Sequence, residues 1–275
     1  MQTRQLSPIG VEILGADLEA MLEDEHAPRE VLDLLEANGV LVFPELGLDD
    51  EQLVMFGRHL GPTVTKTTKG WDRVYPELFT ITMDPEASAG AYMRSTFDWH
   101  IDGTTLTVPQ KASLLTARVI PEARSDTQFA STYAAYQRLS EKEKTRFNAM
   151  KVWHDLEATH RRHDPDPSPE MLERLRAQPP VLQPLVWTHH SGRKSLVIGT
   201  PASHIDGVPP DESREILVDL LERATAPSLV YSHDWKVGDL VIWDNRGVLH
   251  RALPYADDSG REMKRVTLAG DEPIR

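Results

Sequence analysis

The chain contains no cysteine. Disulfides, thiolate metal sites and cysteine nucleophiles are therefore excluded, and any bound metal must be held by nitrogen and oxygen. Positive charge is also scarce: 30 lysines and arginines stand against 43 aspartates and glutamates, a formal net charge of −13. A nucleic-acid binder needs a basic surface to displace counterions from phosphates, so the charge argues against that class. No apolar run approaches the length of a membrane-spanning helix, and the opening Met1-Gln2-Thr3-Arg4-Gln5-Leu6 lacks the apolar core of a signal peptide. These absences predict a soluble cytoplasmic protein with neither a membrane nor a nucleic-acid partner. Against so acidic a background, a local concentration of arginine is informative, because it marks where a small anion would bind.

What is present reads as one domain over residues 1–275, since nothing resembles a repeat or a linker and the length suits a single full core. Pro28 to Asn38 has helical apolar spacing and stops at Gly39. Val40-Leu41-Val42-Phe43 follows as a buried strand, and a second helix begins at Asp49 or Asp50 and closes at Gly61-Pro62. Beyond a threonine- and lysine-rich loop at residues 63–72, strands dominate: 78–82, 112–119, 126–131, 184–189, 194–198, 231–235, 239–243, 248–250 and 263–268. Helices are predicted at 134–150, broken at Ser140-Glu141, and at 211–225, begun by Asp211 or Ser213. The prediction is a mainly β fold, a sandwich or jelly roll, with helices packed outside. Residues 155–184 carry Asp164-Pro165-Asp166-Pro167-Ser168-Pro169, whose prolines exclude regular structure, so the stretch reads either as a lid or insertion at one mouth of the fold or as a disordered surface loop.

The stretch Phe97-Asp98-Trp99-His100-Ile101-Asp102-Gly103-Thr104 carries the chemistry. On an extended strand His100 and Asp102 leave the same face and can converge on one ion. A second imidazole, His250, follows the strand-turn-strand unit that begins at Trp243. Two histidines and one carboxylate make the facial triad that leaves open positions on Fe(II). His160 and His163 compete as ligands, but their proline-flanked loop is poor at fixing geometry. Downstream, Arg261, Met263 and Arg265 alternate along a predicted strand, so both guanidiniums point to one face while Glu262 and Lys264 point to the other. Two arginines facing a barrel interior need an anionic partner, and a dicarboxylate supplies one by bidentate pairing.

With these residues in hand the sequence resembles the Fe(II)- and 2-oxoglutarate-dependent dioxygenases of the TauD/TfdA family. The resemblance runs from Val40-Leu41-Val42-Phe43 through Trp99-His100-Ile101-Asp102, Ser125-Asp126-Thr127, Val237-Gly238-Asp239-Leu240 and Trp243-Asp244-Asn245-Arg246 to His250 and Arg261. It implies a double-stranded β-helix (jelly roll, cupin-like) in which His100, Asp102 and His250 hold the iron. It implies that Arg261, eleven residues after His250, pairs with the distal carboxylate of 2-oxoglutarate. It also implies that Thr127 hydrogen-bonds this cosubstrate and that Arg265 contacts the cosubstrate or a substrate anion. The segment from Trp187 through His189 to Ser203-His204 looks closer to the aryloxyalkanoate branch than to the taurine branch, and on that match His189 and Lys69 fall near positions that meet a substrate carboxylate. Arg124-Ser125 departs from the pattern, standing where the family often has two glycines. The implied reaction consumes O2 and 2-oxoglutarate, releases succinate and CO2, and hydroxylates a small organic anion; family habit allows a homo-oligomer. Two rival readings use the same residues: a zinc-dependent hydrolase with an activated water, and a non-catalytic barrel that binds a small anion.

Overall fold

In a computed structural model the described residues are 1–84, 86–87, 94–123 and 125–275, so Arg124 lies outside them. The strands are β1 (Gln2–Gln5), β2 (Val11–Leu14), β3 (Val40–Phe43), β4 (Phe79–Ile81), β5 (Ala112–Val119), β6 (Thr127–Ser131), β7 (Lys151–His154), β8 (Val181–Pro184), β9 (Val186–Thr188), β10 (Lys194–Leu196), β11 (Ala202–Ile205), β12 (Val230–His233), β13 (Leu240–Asp244), β14 (Val248–Ala252) and β15 (Glu262–Leu268). They form a seven-stranded sheet in the order β1-β2-β3-β13-β5-β15-β4, two three-stranded sheets, β12-β6-β14 and β11-β7-β8, and the β9-β10 hairpin. Every pairing is antiparallel except β2 with β3.

Alternation along the strands explains the layering, because successive side chains leave opposite faces. One face of the large sheet, with Leu41, Phe43, Leu114, Leu240, Ile242 and Val266, packs on the helices Leu18–Glu23, Ala27–Asn38 and Asp50–Leu60. The other face, with Val42, Leu115, Ala117, Val241, Trp243 and Met263, meets Phe129 and Val248 of the β12-β6-β14 sheet. The outer side of that smaller sheet, through Ala130 and Leu249, is covered by Val186, Leu196, Ile205 and Leu220. Each fully buried Leu, Ile or Phe contributes roughly 1.5–3 kcal/mol, so three contiguous apolar clusters are what hold the two facing sheets in register.

Local signals set the boundaries. Asp49 caps the helix Asp50–Leu60 through a reciprocal pairing with Gln52. Gly39 ends the preceding helix at φ +78°, where a side chain would be strained and a Cβ would press on Val248 and Ile9. The helices Thr132–Gln137 and Glu141–Phe147 are separated at Ser140, which caps the second.

Two expectations are corrected. Residues 155–184 are regular in part, folding into the helices Leu156–His160 and Pro169–Arg176 and strand β8, while 161–168, with Pro165 and Pro167, and 177–180 are irregular as expected. Pro169 opens its helix behind the cap Ser168, where a missing N–H costs nothing, and Pro184 ends the edge strand β8. The helix predicted from Asp211 begins at Pro210 with neither Asp211 nor Ser213 capping it; the Ser213 hydroxyl accepts instead from the Ile205 N–H at 2.7 Å. Strands β1 and β2 carried no sequence signal and extend the large sheet at its edge.

Candidate metal centre

His250 sits in the middle of β14, locked by its pairing with Phe129 of β6. On its other side it forms an isolated antiparallel bridge with His100, each backbone N–H donating to the other's carbonyl, at 3.1 and 2.9 Å. Residues paired in this way project their side chains to the same face, and the two imidazole centroids are 4.2 Å apart. The strand expected for His100-Ile101-Asp102 is absent. The chain leaves the bridge directly into a turn, where Gly103 adopts φ +82° and a Cβ would collide with Gln110. Asp102 thus reaches the histidines by a turn and not by strand alternation.

One ligand atom from each of His100, Asp102 and His250 lies within 4.8 Å of the others. The Nε2 atoms of His100 and His250 lie 3.8 and 3.7 Å from the two Asp102 carboxylate oxygens. Those spacings are too long for hydrogen bonds, yet they suit donors that each sit about 2.1 Å from one shared cation. Protonation states fit as well. Burial pushes His250 down to about 3, leaving a neutral imidazole. His100 Nδ1 donates to the Asp98 carbonyl at 2.8 Å, which turns its unprotonated Nε2 toward the triad. Burial opposes charge on Asp102, but Arg265 above all, with the two histidines and Ser113, holds its carboxyl at about 2. The Ser113 hydroxyl donates to Asp102 Oδ2 at 3.1 Å and accepts from Asn245 Nδ2 at 3.0 Å, while Arg265 Nη1 lies 3.5 Å from the same carboxylate oxygen. Two imidazoles with Nε2 turned inward and an oriented carboxylate are the donor set a divalent metal requires.

Of the two arginines the sequence singled out, Arg265 faces this cluster through Asp102. Arg261, 3% exposed, precedes β15 and stacks over Tyr255 at 4.7 Å. It has no carboxylate partner among the described residues, its Nε is buried and unbonded, and burial lowers its pKa. A buried guanidinium left without an anion is costly, so this position is suited to receive one. Arg265 stacks over Phe79 at 5.3 Å. As the alternation predicted, Met263 is in the inner core while Lys264 bonds Thr80 at 2.9 Å and pairs with Glu262 on the opposite face. A register shift between Glu262 and Met263 leaves the two guanidiniums over different rings.

A model of the taurine catabolism dioxygenase TauD, TfdA family matches residues 2–267. The chain belongs to this family. It is 37% identical over 267 residues to the alpha-ketoglutarate-dependent 2,4-dichlorophenoxyacetate dioxygenase of Burkholderia sp. (strain RASC), covering 90% of this chain and 89% of the relative. It is 33% identical over 237 residues to the (S)-phenoxypropionate/alpha-ketoglutarate-dioxygenase of Sphingobium herbicidovorans, covering 84% and 82%. The crystal structure of AAD-2 in complex with Mn(II) and N-oxalylglycine superimposes with a TM-score of 0.84 at 31% identity, covering 100% of both chains. Similarity is greater to these aryloxyalkanoate enzymes than to a taurine dioxygenase from Burkholderia xenovorans, at 28% identity. The chain is a dioxygenase of the TauD/TfdA type.

The other residues that the TauD/TfdA pattern singles out divide into near and far. Thr127 lies in β6 on the same face as Phe129, whose ring stacks on His250 at 6.5 Å, and its hydroxyl accepts from the Trp235 indole N–H at 2.9 Å. Lys69 is exposed on a loop whose next residues bond β4, through Thr80 N–H to the Gly70 carbonyl and the bridge between Trp71 and Phe79. That loop therefore borders the strand that holds Phe79 under Arg265. His189 is not brought to the triad: its Nε2 is 2.8 Å from Ser195 Oγ, its ring packs on Trp187 and Tyr133, and burial pushes it down to about 3.

Sequence reasoning missed Ser113, Asn245 as a support, Tyr255, Phe79 and Trp235. A serine on an otherwise apolar strand face was a readable clue for the first; the others depend on contacts across the fold. The 155–184 segment also touches the ligand loop. His163 Nε2 is 2.9 Å from the Asp98 carboxylate and Arg162 Nε 3.4 Å, Gln178 donates to the Thr105 carbonyl at 2.9 Å, and Gln183 donates to the Thr104 and Leu106 carbonyls at 3.1 and 2.9 Å.

Proposed function

We propose that this chain is an Fe(II)- and 2-oxoglutarate-dependent dioxygenase that hydroxylates a small organic anion bearing an aromatic ring, with His100, Asp102 and His250 as the iron ligands. The observation that carries the assignment is the convergence of these three donors, with Arg265 set against Asp102 and a buried Arg261 that has no carboxylate partner among the described residues. The family excludes the zinc-hydrolase and anion-sensor alternatives. In the AAD-2 complex, Mn(II) stands in for Fe(II) and N-oxalylglycine, which has an NH where 2-oxoglutarate has a CH2, stands in for the cosubstrate.

The framework we assign is a double-stranded β-helix in one domain over residues 1–275, with residues 155–184 as its lid. Support comes from the winding: β5, β13 and β15 lie in the large sheet while β6, β12 and β14 lie in the small one, so the chain alternates between facing sheets.

When bound, the metal supplies the O2 chemistry, in which 2-oxoglutarate and O2 become succinate and CO2 while one oxygen atom enters a substrate C–H bond. The protein's own residues bind, orient and exclude water. Arg261 pairs with the distal carboxylate of 2-oxoglutarate, and Thr127 donates a hydrogen bond to it. Arg265 holds Asp102 ionised and faces the substrate anion, with Lys69 at the outer rim. Phe79, Trp71, Tyr255 and Phe97 make an aromatic wall beside the two arginines, suited to a ring attached to a carboxylate. The relatives named for 2,4-dichlorophenoxyacetate and phenoxypropionate agree with such a substrate. If the attacked carbon bears an ether oxygen, the hydroxylated product is a hemiacetal and falls apart, giving net cleavage. His189, bound to Ser195, is given no substrate role.

The test is oxygen uptake with stoichiometric succinate release when Fe(II), 2-oxoglutarate and aryloxyalkanoates are supplied. His100→Ala should abolish both; undiminished turnover would refute the ligand assignment.

A further inference from the structure

Trp235 takes no part in the triad, yet it makes the one hydrogen bond to the Thr127 hydroxyl among the described residues, 2.9 Å from indole Nε1 to Oγ1 in a fully buried setting. An indole N–H can only donate, whereas a hydroxyl has one proton to give and lone pairs to receive. The bond therefore occupies an acceptor site on Thr127 and leaves the hydroxyl proton to be directed elsewhere. No protein acceptor for that proton is found among the described residues. We propose that Trp235 is a positioning residue that fixes Thr127 as a hydrogen-bond donor toward the cavity, so that this wall accepts a carboxylate and disfavours a donor group in its place. The inference deepens the 2-oxoglutarate reading of the site and rests on it.

The indole is itself held. It packs at right angles against the ring of His233, centroids 4.5 Å apart, and His233 is Thr127's cross-strand partner between β12 and β6, so His233 and Thr127 lie on one face. The two nitrogens of His233 are engaged, Nδ1 with the Tyr231 hydroxyl at 3.0 Å and Nε2 with Asp239 at 3.1 Å. Asp239 also accepts from the backbone N–H groups of Lys236 and Glu45, each at 2.9 Å. Burial raises its pKa, but these bonds outweigh burial and hold the carboxyl below the ordinary range. A chain of directed contacts thus runs from the Asp239 turn to the Thr127 hydroxyl, and it leaves the indole no freedom to turn its N–H away.

The experiment titrates 2-oxoglutarate into the anaerobic Fe(II) protein and follows the visible charge-transfer band, comparing wild type with Trp235→Phe, Thr127→Val, the double variant and Arg261→Ala. Trp235→Phe is expected to raise the dissociation constant about five- to tenfold, which is the range for one buried neutral hydrogen bond. Thr127→Val should do the same, and the double variant should be no worse than the weaker single one. Fe(II) affinity should stay within twofold of wild type in Trp235→Phe, a readout that general loosening of the site would move. If Trp235→Phe does not fold, benzothienylalanine at position 235, with sulfur in place of N–H, keeps the ring shape and should give the same rise. An unchanged constant in a folded variant, or additive effects in the double variant, overturns the proposal. If wild type gives no band, or Arg261→Ala binds 2-oxoglutarate as wild type does, the cosubstrate reading itself fails; a weakened Arg261→Ala beside an unaffected Trp235→Phe sinks the Trp235 role alone.

Discussion

Removing the Ser113 hydroxyl tests how the carboxylate ligand is held. Ser113 donates to Asp102 Oδ2 at 3.1 Å, is fixed by Asn245 Nδ2 at 3.0 Å, and shares the oxygen with Arg265 at 3.5 Å. A hydrogen bond to a charged acceptor contributes about 1.5–3 kcal/mol. At 3.1 Å, with a guanidinium also facing the oxygen, the lower end applies. Ser113→Ala should therefore cost about 1.5 kcal/mol of metal binding, roughly tenfold in affinity, within the range seen for outer-shell partners of metal ligands. The measurement is calorimetric titration of Mn(II) into the metal-free protein, since Mn(II) does not oxidise under air. Asn245→Ala removes the group that orients Ser113, so it should show a smaller loss, and combining it with Ser113→Ala should add nothing. A Ser113→Ala protein that melts like wild type and binds Mn(II) within twofold of it would show that the carboxylate needs no such support, and the reasoning would be wrong.

Arg261→Ala should weaken 2-oxoglutarate at least tenfold more than it weakens the proposed aryloxyalkanoate substrate, measured as separate KM values; equal effects on both would contradict its pairing with the cosubstrate. His154 is completely buried, and burial pushes its pKa from 6.5 to about 4. The unfolded chain therefore binds a proton that the folded one refuses between those limits. The stability this neutral histidine confers is full above pH 6.5 and is lost as the pH falls, at about 1.4 kcal/mol per unit. Between pH 7.5 and 5.0 urea unfolding should lose about 2 kcal/mol from this group, and His154→Leu should remove that part of the slope; an identical slope in the variant would refute the assignment.

Short-range signals were legible and long-range ones were not. Strand β5 has the bounds that its apolar run predicted, and the Asp49 cap and Gly39 stop were readable because each depends on neighbours within a turn. The convergence of His100, Asp102 and His250 was expected, but its route was not: a single bridge between two histidines far apart in sequence, followed by a turn, leaves no periodic trace. Prolines at residues 165–169 suggested irregular chain because their number outweighed their placement, whereas Pro169 sits where a helix begins. Trp235 and Ser113 acquire roles only from partners brought close by sheet pairing, and composition carries no record of those.

The contacts from residues 162–183 to Asp98, Thr104, Thr105 and Leu106 bind the would-be cover of the cavity to the very loop that presents two of the three metal donors. On the proposed reading of this segment as a lid, admission of substrate and retention of metal are mechanically linked. Exchanging this segment to recruit a different small molecule would, on that reading, also loosen the grip on the ion, so redesign of substrate choice here must carry the four anchoring side chains, Arg162, His163, Gln178 and Gln183, across unchanged.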